Sequence, residues 1–187
     1  MAERVAHKYQ SRKKLDSGNV VYEYTDRQIA LRNRKKAERY EKLQKAIGAL
    51  RKKAKQDLKS SDPDTMLTAL AVALIDATFE RVGNPTSAEE LEHFGVTGWQ
   101  RNHVNFGRGK ATIRYVGKSG VRQEKTVTDA AILRALRDAY EASDEEDGNL
   151  FTYADGQVDS KKVNDYLKQF DITAKDIRGF HANREMQ

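Results

Sequence analysis

Two stretches of this chain carry residues whose types and spacing could act on a phosphate group. In "YVGKSGV" (residues 115–121), Gly117-Lys118-Ser119 could be either a nucleotide-phosphate cradle or the tip of a β-hairpin that exposes one reactive lysine. A phosphate-binding loop needs G-x-x-x-x-G-K-[ST] between a strand and a helix, so that backbone N–H groups at the helix start surround the anion. The first glycine would have to stand at position 112, which is Thr112. "ATIRY" and "VRQEKTV", the flanks of the motif, both read as strands, so the hairpin reading holds and Lys118 sits at its tip. In "ITAKDIRGFH" (172–181), Lys175, Arg178 and His181 are spaced by three and six, roughly one face of a helix. Arg81, in "FERVGN" (79–84), is expected at the end of a buried helix, where a cation also suits the helix dipole.

The elements that must position these residues are mostly helical. Residues 1–20 show no apolar period and read as a flexible basic arm. "VVYEY" (20–24) is β-prone. From Thr25 or Asp26 a long helix is expected, with Tyr40, Leu43, Ile47, Leu50 and Ala54 forming one apolar stripe. The stripe is too short for a coiled coil and is expected to pack on the domain. "SSDPDTMLTALAVALIDATFERVG" (60–83) opens with Asp62 as N-cap and Pro63 in the first turn, is apolar on most faces, and is expected to be the central helix, stopping at Gly83-Asn84-Pro85. Three short strands, about 102–106, 111–116 and 121–127, are separated by Gly-rich turns and suggest an antiparallel sheet. Three further helices follow. One spans Asp129 to about Ser143 with Thr128 as cap, one is capped by Ser160, and one is opened by Thr173 with Asp176. The fold class is mainly α with a small three-stranded antiparallel sheet, arranged as an arm (1–20) and one domain (21–187).

Bulk composition narrows the function classes. The chain has 187 residues, 33% charged and 38% apolar, and a net charge of +6. Residues 1–60 hold 18 Lys and Arg against 7 Asp and Glu, a bias that suits either a polyanion partner or a solvated, charge-rich helix. There is no cysteine, which excludes disulfides, thiolate metal sites and a thiol nucleophile. No apolar run approaches a membrane span and no signal-peptide core begins the chain, so an intracellular protein is expected, in the cytoplasm or nucleoid if the source is bacterial. No feature points to a metal or organic cofactor.

Taken in order, "VVYEY" with its basic helix, "LIDATFERVGN", "HFGVTGWQRNHV", "ATIRYVGKSGV", "LFTYADGQVDSKKVNDYL" and "ITAKDIRGFH" resemble the type IB DNA topoisomerases, particularly the compact bacterial and poxvirus-like enzymes. The resemblance covers about residues 20–183 and implies the catalytic-core fold shared with tyrosine recombinases. It implies metal- and ATP-independent nicking and rejoining of one DNA strand through a 3′-phosphotyrosine, with duplex DNA as partner. On this resemblance Arg81 and Arg178 match the two phosphate-clamping arginines, Lys118 matches the lysine that protonates the leaving 5′-oxygen, and Lys175 matches an assisting position. His181 lies near the site without matching the catalytic histidine. Arg101, Arg108, Lys110, Arg114 and Lys118 are the candidate DNA contacts, whereas His103, Trp99 and Tyr115 are expected to be structural.

The resemblance places the family's catalytic histidine and nucleophilic tyrosine well downstream of the second arginine. This chain ends nine residues after Arg178, and no tyrosine follows Tyr166. "PTSAEELE" departs from the family's usual segment at that point. The expectation is a partial catalytic domain, inactive alone in strand cleavage, with a C-terminal segment or partner supplying His and Tyr. Two alternatives stand beside it: a non-cleaving duplex-DNA-binding module of the same fold, and a tyrosine recombinase or integrase relative. The residues around "RVGN" and "TAKDIRGF" look more like the topoisomerase pattern.

Overall fold

The computed structural model of the protein describes residues 11–83 and 94–184, with side chains through His181. The first ten residues of the arm, the whole of "PTSAEELE" and the last three residues lie outside them. The chain divides into two compact units, Met1–Glu41 and Lys42–Gln187.

In the first unit, β1 (Ser11–Lys14) pairs antiparallel with β2 (Val20–Glu23), Ser11 opposite Glu23 and Lys14 opposite Val20. Gly18, at φ 81°, turns the chain between them, and Leu15 N–H closes the loop onto Asn19 O at 2.8 Å. The second half of the expected flexible arm therefore forms the first strand and turn of a hairpin, whose second strand is the β-prone "VVYEY". Backbone bonds hold the hairpin, and its side chains are almost all exposed, which is why no alternation marked it in the sequence. Helix α1 (Asp26–Asp57) starts here, with the Thr25 hydroxyl accepting the Gln28 N–H at 3.3 Å.

The second unit is built around α2 (Pro63–Thr78). Asp62 caps it through the Thr65 N–H at 3.0 Å, with Pro63 at the first position, as the sequence implies. Nine of its sixteen residues are buried. It packs against α3 (Ala130–Ala142), α4 (Ser160–Lys168), α5 (Ala174–Arg184) and one strand of the sheet. From α1, Leu43, Leu50 and Ala54 are buried, so the stripe packs on the domain as expected. The sheet is β3 (Val104–Gly107), β4 (Lys110–Val116) and β5 (Arg122–Val127), antiparallel in that order, and a further small hairpin joins β6 (Thr152–Tyr153) to β7 (Gly156–Gln157). No described helix is long and apolar enough to cross a membrane.

Three helix boundaries differ from expectation. Asp129, not Thr128, caps α3, accepting the Ala131 and Ile132 N–H groups at 2.8 and 3.2 Å. Asp159, not Ser160, caps α4 through Lys162 N–H at 2.8 Å. In both places two competent capping residues are adjacent, and the carboxylate takes the cap. The larger difference is that α2 ends at Thr78, five residues before Gly83. Phe79 adopts the left-handed conformation (φ 61°, ψ 21°), and its N–H still bonds Ile75 O at 2.9 Å. Residues 80–83 then run as a strap along the segment that follows Phe94. Arg81 O accepts Val96 N–H at 2.8 Å, and Val82 O accepts both the N–H and the hydroxyl of Thr97 at 2.7 and 2.8 Å. A Cβ on Gly95 would stand 2.5 Å from Gly83 Cα, so this approach requires glycine.

A charged network crosses the base of the domain. Asp76, near the end of α2, takes two hydrogen bonds from Arg51 of α1 at 2.7 and 3.0 Å, and its Oδ1 lies 2.8 Å from Nε2 of the buried His181 of α5. Burial pushes the Asp76 carboxyl pKa up, but Arg51 and His181 more than offset it and leave it below the usual range. Truncation of Asp76 would strand both partners. Asp76→Ala is expected to lower the unfolding free energy by about 3 kcal/mol, read from urea unfolding.

Trp99 and Tyr115 are core residues, as expected, with ring centroids 5.3 Å apart. His103 is structural too. Its Nδ1 accepts the Gln100 N–H at 3.1 Å and its ring meets Phe94 edge-on at 4.6 Å. Burial lowers its pKa from 6.5 to about 4. The unfolded chain therefore binds more protons between those values, so stability rises with pH across the window and is lost on acidification through it. The melting temperature is expected to fall from pH 6.5 towards 4, with a shallower slope in His103→Gln.

Candidate phosphate-binding site

The left-handed turn at Phe79 organises the site. Its carbonyl accepts Arg178 Nε–H at 2.8 Å, and its ring stacks on His181 at 3.9 Å and 20°. Arg178 and His181 lie one helical turn apart on α5, so that helix holds the turn by a hydrogen bond and a stacking contact together. α5 itself starts where expected, with the Thr173 hydroxyl and N–H both donating to Asp176 at 2.7 and 2.9 Å.

Beyond the turn, Arg81 is exposed on the strap and Arg178 is partly buried. The two guanidiniums lie within electrostatic range of each other. Burial lowers the Arg178 pKa first, the charge of Arg81 lowers it further, and Glu80 pulls it back. Two guanidiniums close together, answered by one carboxylate, could take an anion with several oxygens, since each can bond two of them.

Glu80 and Lys125 flank this pair. Lys125 of β5 bonds the Glu80 carboxylate at 2.8 Å, with the Glu80 side chain only 14% exposed. The other Glu80 oxygen accepts Arg81 N–H at 3.3 Å. Burial pushes the Glu80 pKa up, and Lys125 leads the groups that bring it below the usual range. The buried Tyr115 hydroxyl makes no hydrogen bond within ordinary limits, yet lies in the field of Glu80 and Arg178. Burial, with Glu80 behind it, raises its pKa.

The other candidates separate by position. Lys118 is exposed on the turn between β4 and β5, which is closed by Gly117 N–H on Val121 O at 2.7 Å, with Ser119 and Gly120 at φ 67° and 73°. A strand follows it, as the hairpin reading requires. Lys175 is exposed on α5. His181 is tied to Asp76 and Phe79. Arg108 and Lys110 are exposed at the β3–β4 turn. Arg114 is exposed and pairs with Glu124 at 2.7 Å. Arg101 is partly exposed. Its guanidinium donates to Ser143 O at 2.6 Å and covers the Tyr140 ring at 4.5 Å, so it ties the segment before β3 to the end of α3.

Sequence reasoning missed Asp76, Phe79, Glu80 and Lys125. Asp76 carried a signal, being a charge near the end of an otherwise apolar helix. Lys125 carried one only once the strand register is known, since it occupies the inward row of β5.

The sequence matches the family described as eukaryotic DNA topoisomerase I, catalytic core, over residues 25–187. It is 26% identical over 115 residues to DNA topoisomerase 1B of Acanthamoeba polyphaga mimivirus, covering 55% of this chain and 33% of that protein. It is 23% identical over 167 residues to DNA topoisomerase I of Monkeypox virus, covering 89% and 52%. The chain thus spans about half or less of the length of these curated relatives. Among solved structures, the XerH site-specific recombinase bound to difH substrate, in its pre-cleavage complex, is similar at 15% identity and a TM-score of 0.49, over 76% of this chain and 40% of that one. The family match takes in Arg81, Lys118 and Arg178 together, and on it the chain belongs to the DNA topoisomerase I catalytic-core family, type IB.

Proposed function

We propose that this chain grips duplex DNA and holds one backbone phosphate between Arg81 and Arg178 for metal- and ATP-independent strand nicking and rejoining. In this reaction a tyrosine oxygen bonds to phosphorus as the bond to the 5′-oxygen breaks, leaving a 3′-phosphotyrosine. The released 5′-oxygen takes a proton from Lys118, with Lys175 assisting. Rejoining runs the same steps backwards, so the bond energy is kept. The observation that carries the proposal is the convergence of Arg81 and Arg178 at the Phe79 turn, where Arg178 is already oriented by a backbone carbonyl. Fixed positive groups aimed at developing phosphate charge are the largest catalytic term such chemistry can draw on. Arg108, Lys110, Arg114 and Lys118 supply further phosphate contacts.

The nucleophile comes from outside the residues that form this site. Of the four tyrosines in the second unit, Tyr115 is buried with a raised pKa, and Tyr140 is packed under Arg101 and against Phe106. Tyr153 donates to Asp64 at 2.7 Å, and Tyr166 to Asp57 at 2.8 Å. A C-terminal segment or a partner supplies the tyrosine and the histidine. These four tyrosines, two packed by their rings and two held through their hydroxyls, favour a second reading, a module of this fold that binds duplex DNA without cutting it.

Gel shifts of duplex DNA over a salt series, beside relaxation of supercoiled plasmid in EDTA without ATP, test both readings. Binding is expected to weaken by about 10³ between 50 and 200 mM salt. Relaxation is expected only when the tyrosine-bearing segment of a relative is added in trans, and Arg178→Ala should then cut its rate by about 10² to 10³ while weakening binding little. Binding with no relaxation even then would favour the non-cleaving module. No binding at any salt would sink both.

A further inference from the structure

The inward row of β5 contains a lysine where packing calls for an apolar residue. In β4 the buried residues are Ala111, Ile113 and Tyr115, and in register across from them stand Val127, Lys125 and Gln123. Lys125 is thus opposite the fully buried Ile113. An ammonium in that row costs desolvation free energy unless a partner answers it. Glu80 answers it at 2.8 Å, and Glu80 is both the first residue after the left-handed turn and the residue before Arg81. Through its own backbone and the Arg81 N–H, this carboxylate belongs to the strap. Through Lys125 it belongs to the sheet.

We propose that Glu80 and Lys125 are positioning residues of the phosphate site, their ion pair latching the hairpin that carries Lys118 onto the strap that carries Arg81. The inference rests on the reading of Arg81, Arg178 and Lys118 as the phosphate-contacting groups. Lys125 lies four residues from Val121, where the hairpin turn closes, about 13 Å along the strand at the usual rise. A paired antiparallel strand transmits position over that length. The strap is held to the residues after Phe94 by backbone bonds and to α5 by the Arg178–Phe79 bond, and the Glu80–Lys125 pair adds the link to the sheet. Partly buried ion pairs add little stability over apolar residues of the same shape, so what this pair contributes is placement. Glu80 also sets the local charge. It offsets one of three nearby cations, Arg81, Arg178 and Lys125, and leaves the site positive for a phosphate.

The chain has no cysteine, so two introduced cysteines can be spin-labelled cleanly. Labels at Val121→Cys on the hairpin turn and Gln56→Cys on α1 report the hairpin's position by double electron–electron resonance. The expected result is one narrow distance peak in the otherwise native chain. That peak should be lost or displaced in Lys125→Met and in the double variant Glu80→Gln/Lys125→Met, and regained in Lys125→Arg. The double variant removes both partners of the pair together, so neither is left facing an absent partner and its melting temperature should stay near the native value, which separates placement from stability. An unchanged distance peak in the double variant would overturn the latch. Gel shifts of the labelled native chain on duplex DNA run alongside. Failure to bind there counts against the DNA reading, and the label distances alone decide the latch.

Discussion

Asp76 is a carboxylate set into an apolar helix, and a guanidinium and an imidazole reach it from two other helices. That single group fixes where α1, α2 and α5 meet. Arg51 is held by two hydrogen bonds, so α1 is constrained in direction as well as distance. His181 is held on the other side, and its ring is thereby laid flat against Phe79. The stacking supports a left-handed phenylalanine, a conformation that costs a non-glycine residue about 1 kcal/mol. The strained turn in turn aims the Phe79 carbonyl at Arg178 and sends the chain into the strap that presents Arg81. The proposed anion site is the far end of a chain of contacts that begins at a largely buried carboxylate.

The electrostatics follow from that geometry. Two guanidiniums brought to one place repel each other, and burial of Arg178 makes the repulsion harder for water to screen. A protein can tolerate this if backbone geometry holds the groups and a carboxylate stands near without neutralising both. Phe79 O and Glu80 do these two things. Glu80 is itself bonded to Lys125, which keeps its carboxylate from folding onto the arginines. The result is a fixed, net-positive site whose orientation is set before any ligand arrives, the condition under which electrostatic stabilisation is largest.

The start of α2 was legible in the sequence because Asp62-Pro63 is a local signal. Its end was not, because the left-handed turn at Phe79 depends on a ring contributed by His181, about a hundred residues later. Gly83 looked like the stop and proved to be a contact glycine, needed where the strap touches Gly95. The three-stranded sheet was legible from its alternation and its Gly turns, and β2 from its β-branched residues, whereas β1, exposed on both faces, offered no alternation to read. At the site, the arginine and lysine motifs were legible as types in order. Which of them meet, and through what, was written in tertiary contacts. Arg101 reads as a surface cation in sequence and lies over Tyr140 in the fold.

Arginine rather than lysine at position 178 follows from the Phe79 carbonyl. A guanidinium has three nitrogens in one plane, so Nε can be committed to orientation while the two terminal nitrogens remain directed outward. An ammonium has one nitrogen on a freely turning stem. Bound to the same carbonyl it would spend the atom that, on the proposed function, meets the phosphate, and unbound it would lose its direction. Lys118 has the opposite requirement. On a hairpin turn and exposed, it is the lysine proposed to give its proton to the leaving oxygen, and an arginine there would hold its proton too firmly for that role. The division of labour between a fixed arginine on α5 and an exposed lysine at a turn is set by what each side chain can donate and by how firmly the fold holds it.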